Sequence, residues 1–89
     1  MPSWEITVYG RVQGVGFRRH VYGCALLYGI RGYVKNLSDG SVQIVALCSE
    51  AELKEFCAQV SSGSLFARVE DLQIVSLEGV KECNDFTIR

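Results

Sequence analysis

Between Gly10 and Arg19 the chain reads Gly-Arg-Val-Gln-Gly-Val-Gly-Phe-Arg-Arg, three glycines and three arginines in ten positions. Glycine permits backbone conformations in which successive N–H groups converge on an anion. Where a helix follows such a turn, its free N-terminal amides and positive dipole end add to the cradle. An arginine at the same turn supplies a planar fork matched to two phosphate oxygens. A site of this kind needs no metal. The same glycines also suit a plain strand-to-helix turn, and their spacing alone favours that simpler reading.

Other motifs fail on their spacing. The sequence G-x-x-x-x-G-K-[ST] is absent, and Gly14-Val-Gly16 lacks the third glycine of a dinucleotide loop. Cys83 and Arg89 have the separation of a cysteine phosphatase loop, but the intervening Asn-Asp-Phe-Thr-Ile has no glycine and carries an acid. His20 is the only histidine, and no serine occupies a nucleophile turn, so a Ser-His-Asp triad has no support. The four cysteines, Cys24, Cys48, Cys57 and Cys83, contain no C-x-x-C pair. No metal site is therefore expected, and free thiols are, although spacing leaves one bridge open. Asn36, just ahead of Leu37-Ser-Asp-Gly40, reads on its own as turn chemistry.

The elements that must position this loop follow from periodicity. Trp4, Ile6, Val8, Gly10 and Val12 alternate with Glu5, Thr7, Tyr9 and Arg11, the pattern of a strand with one buried face. Gln13-Gly-Val-Gly16 breaks the strand, and a helix is expected from Arg18 to Tyr28, with Val21, Ala25 and Tyr28 on one face and Gly29 as its stop. Gly32 to Asn36 reads as a second strand, Leu37-Ser-Asp-Gly40 as a hairpin turn, and Ser41 to Cys48 as a third strand. Ser49-Glu-Ala-Glu52 is a capping box, and Leu53, Phe56, Cys57 and Val60 behind it form an apolar helical stripe. Ser61-Ser-Gly63 ends that helix, a fourth strand is expected between Ala67 and Leu77, and Phe86-Thr-Ile-Arg89 is extended. The order βαββαβ with a short terminal strand predicts an α/β (α+β) open sandwich of ferredoxin-like type. Its antiparallel sheet would carry both helices on one face, where right-handed crossovers place them. One domain, residues 1–89, is expected.

Composition narrows the function classes. Nine Lys+Arg against ten Asp+Glu give a net charge of −1, which disfavours a generic nucleic-acid binder. The balance hides an asymmetry: Ile6 to Ser38 holds five basic residues and no acid, whereas Asp39 onward holds four basic and nine acidic residues. A local positive field suits a small anionic ligand better than a long polyanion, and suits a solvated cationic face equally well. The longest apolar runs are five residues, against the roughly 20 that span a bilayer. Met1-Pro-Ser-Trp-Glu5 has neither part of an export signal, so a cytoplasmic protein with no membrane partner is expected.

The segment from Gly10 to Arg18, followed by Gly32-Tyr-Val-Lys-Asn36 and Asp39-Gly-Ser-Val42, closely resembles the acylphosphatase family, and the similarity continues to Phe86-Thr-Ile-Arg89. The resemblance implies the ferredoxin-like fold and hydrolysis of the carboxyl-phosphate bond in small acyl phosphates, with no metal and no cofactor. By it Arg18, directly after Phe17, takes the place of the phosphate-binding arginine; Arg19 is one position too late. The backbone amides of Gly14, Val15, Gly16, Phe17 and Arg18 take the place of the phosphate cradle, and Asn36 that of the asparagine holding the attacking water. A monomer acting on a small acyl phosphate is expected, with inorganic phosphate as product and inhibitor. One departure stands in the loop after the second helix, Gly63-Ser-Leu, where the family often has proline after the glycine.

Two other readings compete. RNA-recognition domains share the βαββαβ order, and Arg31-Gly-Tyr33 imitates the start of their aromatic strand motif. It lies on the second strand, however, and Val34-Lys-Asn36 follows in place of further aromatics. Large carbamoyl-transfer maturation proteins resemble the same loop motif, which keeps an accessory or regulatory domain as an alternative. Both Arg18 and Asn36 are present, which favours the enzyme.

Overall fold

Alternation along the first strand turns one face inward. In the computed structural model, which describes residues 1–63, 66–79 and 83–89, strand β1 (Ser3–Arg11) buries Ile6 and Val8 completely. The chain continues through α1 (Phe17–Tyr28), β2 (Arg31–Asn36), β3 (Val42–Leu47), α2 (Glu50–Ser61), β4 (Arg68–Leu77) and β5 (Phe86–Ile88). Helix α1 begins one residue earlier than periodicity placed it, because Gly16 takes the N-cap position, and Gly29 closes its far end. The capping box of α2 is formed: Ser49 Oγ accepts from the Glu52 amide at 3.2 Å, and Glu52 Oε1 accepts from the Ser49 amide at 3.0 Å. These bonds favour the ionised carboxylate and hold Glu52 below the usual range.

The strands form one sheet in the order β4-β1-β3-β2-β5. Pairings among the first four strands are antiparallel, but β5 lies parallel to β2, with Gly32 opposite Phe86 and Val34 opposite Ile88. The sheet expected to be antiparallel is thus mixed at this edge. A chain leaving β4 must run back in the opposite direction, which is the direction of β2. Phe86, Phe17, Val21 and Ala25 pack with Leu53, Phe56 and Val60 of α2 and with Ile6, Val8, Val34 and Ile44 of the sheet in one cluster. Both helices therefore cover the same sheet face. Each fully buried side chain contributes about 1.5–3 kcal/mol, so truncating the fully buried Phe56 to alanine should cost about 3–5 kcal/mol. Tyr28 and Cys57, on the expected helix faces, are only half-buried at the rim of this core.

Cys24, Cys48 and Cys57 are free thiols. Among the described residues no helix is long and apolar enough to cross a membrane. The departure at Gly63-Ser-Leu falls on Ser64 and Leu65, which lie outside the described residues.

Candidate active site

The loop joining β1 to α1 is pinned at both ends by apolar side chains, Val12 and Phe17, each 1% exposed. Between them Gly14 and Gly16 have φ of 73° and 75°. An L side chain in that left-handed region costs about 1–2 kcal/mol. A Cβ at either position would meet nothing within 4 Å, so the glycines serve backbone conformation and not space. Gly16 gives α1 no side-chain cap, and no acidic residue stands in the first turn. Helix amides that other sequences satisfy with Ser, Thr, Asp or Asn are left to the loop. Arg18 and Arg19 occupy that first turn instead, at the dipole end where cations are disfavoured. An incoming anion would reverse that cost.

A second element is held against the loop by Gln13. Its Nε2 donates to Leu37 O at 2.7 Å and Ser41 O at 2.8 Å, spanning the two sides of the β2–β3 turn. The turn itself is closed by Leu37 N donating to Ser41 O at 2.9 Å. Asp39 Oδ1 accepts from both the amide and the hydroxyl of Ser41, and these bonds hold the Asp39 carboxyl below its ordinary value. Asn36 is the last residue of β2 and stands opposite Val42. Val42 in turn stands opposite Val8, and both valines are fully buried, so Asn36 shares the helix-covered face of the sheet. Its Oδ1 is buried with no partner among the described residues. Leaving such an acceptor unpaired costs about 1–3 kcal/mol, which makes it a demand for a ligand or water.

These parts meet in a cleft of about 370 Å³ lined by Val12, Gly14, Gly16, Phe17, Arg18, Arg19, Asn36 and Ile88. The structure thus brings together Gly14, Gly16, Phe17, Arg18 and Asn36. The side chain of Val15, between the two glycines, packs against the core. Arg18 Nη1 donates to the main-chain oxygen of Arg89 at 3.0 Å. Gln13, Ile88 and Arg89 went unassigned in the sequence reading; for Gln13 the signal was a two-donor amide inside a loop that must be fastened to something. His20 is half-buried, its Nε2 3.0 Å from Gln59 O, so it ties α1 to α2 and does not line the cleft. Tyr33, the aromatic that imitated an RNA-stacking position, lies beneath the Arg89 guanidinium, 3.9 Å from its ring centroid. No cysteine lines the cleft, and among the described residues no group of three His, Cys, Asp or Glu side chains could hold a metal ion.

Fold and cleft together define a ferredoxin-like α+β domain with a glycine loop at the start of α1 and Asn36 lining one cleft. The acylphosphatase family model matches residues 4–88. The chain belongs to the acylphosphatase family, enzymes that hydrolyse acyl phosphates. It is 38% identical over 89 residues to the acylphosphatase of Pasteurella multocida, covering 100% of this chain and 99% of that one. Against the acylphosphatase of Archaeoglobus fulgidus the identity is 45% over 78 residues, 88% of each chain. The crystal structure of Bacillus subtilis acylphosphatase superposes with a TM-score of 0.94 at 38% identity, covering 100% and 99% of the two chains. Full-length HypF, in a phosphate- and nucleotide-bound form, matches with a TM-score of 0.86 at 27% identity; the match covers 99% of this chain and 12% of HypF.

Proposed function

We propose that this chain cleaves small acyl phosphates without a metal, with the work divided between the Gly14-to-Arg18 loop and Asn36. The observation that carries the proposal is the buried, unpartnered Asn36 Oδ1 in the same cleft as the uncapped start of α1. An acyl phosphate is a mixed anhydride with a good carboxylate leaving group, so no strong nucleophile or leaving-group acid is required. Charge in its loose transition state spreads over the equatorial phosphoryl oxygens, which amides and the Arg18 guanidinium can grip. Water accepted by Asn36 Oδ1 attacks phosphorus in line. The bond from phosphorus to the acyl oxygen breaks, and its electron pair leaves with the carboxylate. The residues lining the cleft include no His, Cys, Asp or Glu. The proton of the attacking water therefore passes to a phosphoryl oxygen or to solvent. Asn36 can hold the water without titrating, and fixing its position supplies the entropic part of the rate.

Inorganic phosphate shares the phosphoryl group and competes for the same loop. The enzyme proposed is a monomer of one domain. The test is steady-state hydrolysis of benzoyl phosphate after exhaustive chelation, with phosphate as inhibitor. Undiminished turnover and competitive inhibition are expected. Loss of turnover with EDTA, restored by a divalent ion, overturns the metal-free mechanism, and purely noncompetitive inhibition moves the anion site elsewhere.

A further inference from the structure

The cleft holds one more cation than the phosphoryl group accounts for. Arg18 lines the cleft and is fastened to Arg89 O through Nη1. Arg19 lines the same cleft, is exposed, and its guanidinium meets no carboxylate among the described residues. It sits in the first turn of α1, where the helix dipole opposes a cation and no acidic neighbour relieves it. Ile88, 41% exposed at the end of β5, adds an apolar side chain to the lining. A substrate whose phosphoryl group fills the loop must send its acyl tail past these outer residues, because Val12 and Phe17 are buried and block the inner end.

We infer that Arg19 is a specificity-determining residue that reads a second anionic group on the acyl tail. Acyl phosphates of dicarboxylic acids, or those bearing a further phosphate, would then be preferred over neutral ones. The inference rests on the phosphoryl group occupying the Gly14-to-Arg18 loop. It differs from attraction to the phosphoryl group, which all these substrates share.

The experiment compares kcat/KM for 3-carboxybenzoyl and 4-carboxybenzoyl phosphate with that for benzoyl phosphate, at low and physiological salt, in the native enzyme and in Arg19→Gln. The readout is the ratio of carboxylated to plain substrate, in which the field of Arg19 at the shared phosphoryl group cancels. For at least one isomer the native ratio should exceed one by about two- to fivefold, the scale of an exposed ion pair. It should fall to about one in Arg19→Gln and shrink with salt. A native ratio at or below one for both isomers, or a ratio that Arg19→Gln leaves unchanged, overturns the inference. Failure of the underlying reading looks different: benzoyl phosphate itself would go unhydrolysed, or its hydrolysis would survive Arg18→Gln.

Discussion

Arg18 and Arg89 are bound to each other although 71 positions separate them: Nη1 of Arg18 donates to the main-chain oxygen of Arg89 at 3.0 Å. That oxygen is itself held in place. The Arg89 amide donates to Val34 O at 2.7 Å, and the Arg89 guanidinium covers the Tyr33 ring at 3.9 Å from the centroid. Strand β5 thereby braces the arginine assigned to the phosphoryl group, and the brace leads back to β2, the strand that ends in Asn36.

Arg89→Ala should loosen this brace without touching the loop. An exposed cation–π contact contributes about 0.5–1 kcal/mol, so phosphate affinity measured by calorimetry should fall by about two- to fivefold. Tyr33→Leu should do the same. The double variant should lose less than the sum, because both changes remove one contact. Unchanged phosphate affinity in both single variants would show that Arg18 holds its position unaided.

Arg18 itself should be far more sensitive. Arg18→Gln removes the charge and the fork from the group proposed to meet the phosphoryl oxygens in ground and transition states alike. Phosphate binding and turnover should therefore fall together. Lysine should not restore them, since a point charge cannot make the two-pronged contact. Recovery of near-native kcat/KM in Arg18→Lys would reduce the role of Arg18 to bulk charge.

Gln13 joins the loop to the hairpin, and its removal leaves Leu37 O and Ser41 O without that donor. At about 0.5–1.5 kcal/mol for each bond, Gln13→Ala should lower unfolding free energy by about 1–3 kcal/mol. It should also lower kcat, because loop and Asn36 are no longer held in register. Gln13→Glu sharpens the test through its pH dependence. A carboxylate facing two carbonyl oxygens has its folded-state pKa raised, so the variant should be least stable at pH 7 and recover toward pH 4, where the protonated acid can donate once. Denaturant titrations at the two pH values measure the difference.

Local pattern made most of the fold legible, and distance in the chain hid the rest. Alternation from Trp4 to Val12, the Ser49–Glu52 box and the glycines at 14 and 16 each act within a few residues. Their geometry is fixed wherever the segment ends up. The glycines at 14 and 16 thus show a loop able to cradle an anion, but their spacing alone favours a plain turn; Arg18 is assigned through the family resemblance, and Asn36 taken alone looks like a turn former. Its position facing the loop depends on β2 lying two places from β1 in the sheet. The bracing of Arg18 by Arg89 depends on a parallel edge pairing that Phe86-Thr-Ile-Arg89 does not encode by itself. Periodicity shows that a strand exists and is silent about its neighbour.

The cysteines should be chemically quiet. Burial pushes the thiols of Cys48 and Cys57 up to about 11 and raises that of Cys24 above its ordinary value. At pH 7.5 a thiol with a pKa of about 11 is ionised in only about one molecule in three thousand. Iodoacetamide should therefore label these three residues slowly in the native enzyme and rapidly in denaturant, as mass spectrometry can follow. Because no cysteine lines the cleft, hydrolysis should survive the native treatment. The folded-state values lie above the ordinary thiol value of 9.0, so the stability they confer is present below pH 9 and is lost as pH rises toward about 11. Rapid native labelling with loss of activity would place a reactive thiol at the site.

Asn36 gives the sharpest separation of roles. Asn36 lines the cleft together with the loop, and its Oδ1 is buried without a partner among the described residues; no other lining residue has a side-chain carbonyl oxygen. Asn36→Ala removes the acceptor proposed to fix the attacking water and leaves the amides from Gly14 to Arg18 intact. The expected result is a fall in kcat of roughly a hundredfold or more, the scale of a lost positioning group, with phosphate affinity close to native. Stability should not fall, because the substitution also removes a buried acceptor that the folded protein leaves unpaired. Calorimetry with phosphate, kcat on benzoyl phosphate and thermal unfolding together resolve the alternatives. Native kcat in Asn36→Ala would make the residue a turn former and sink the proposed mechanism. A joint loss of kcat and phosphate binding would assign Asn36 to the cradle, leaving the water to be held by something else.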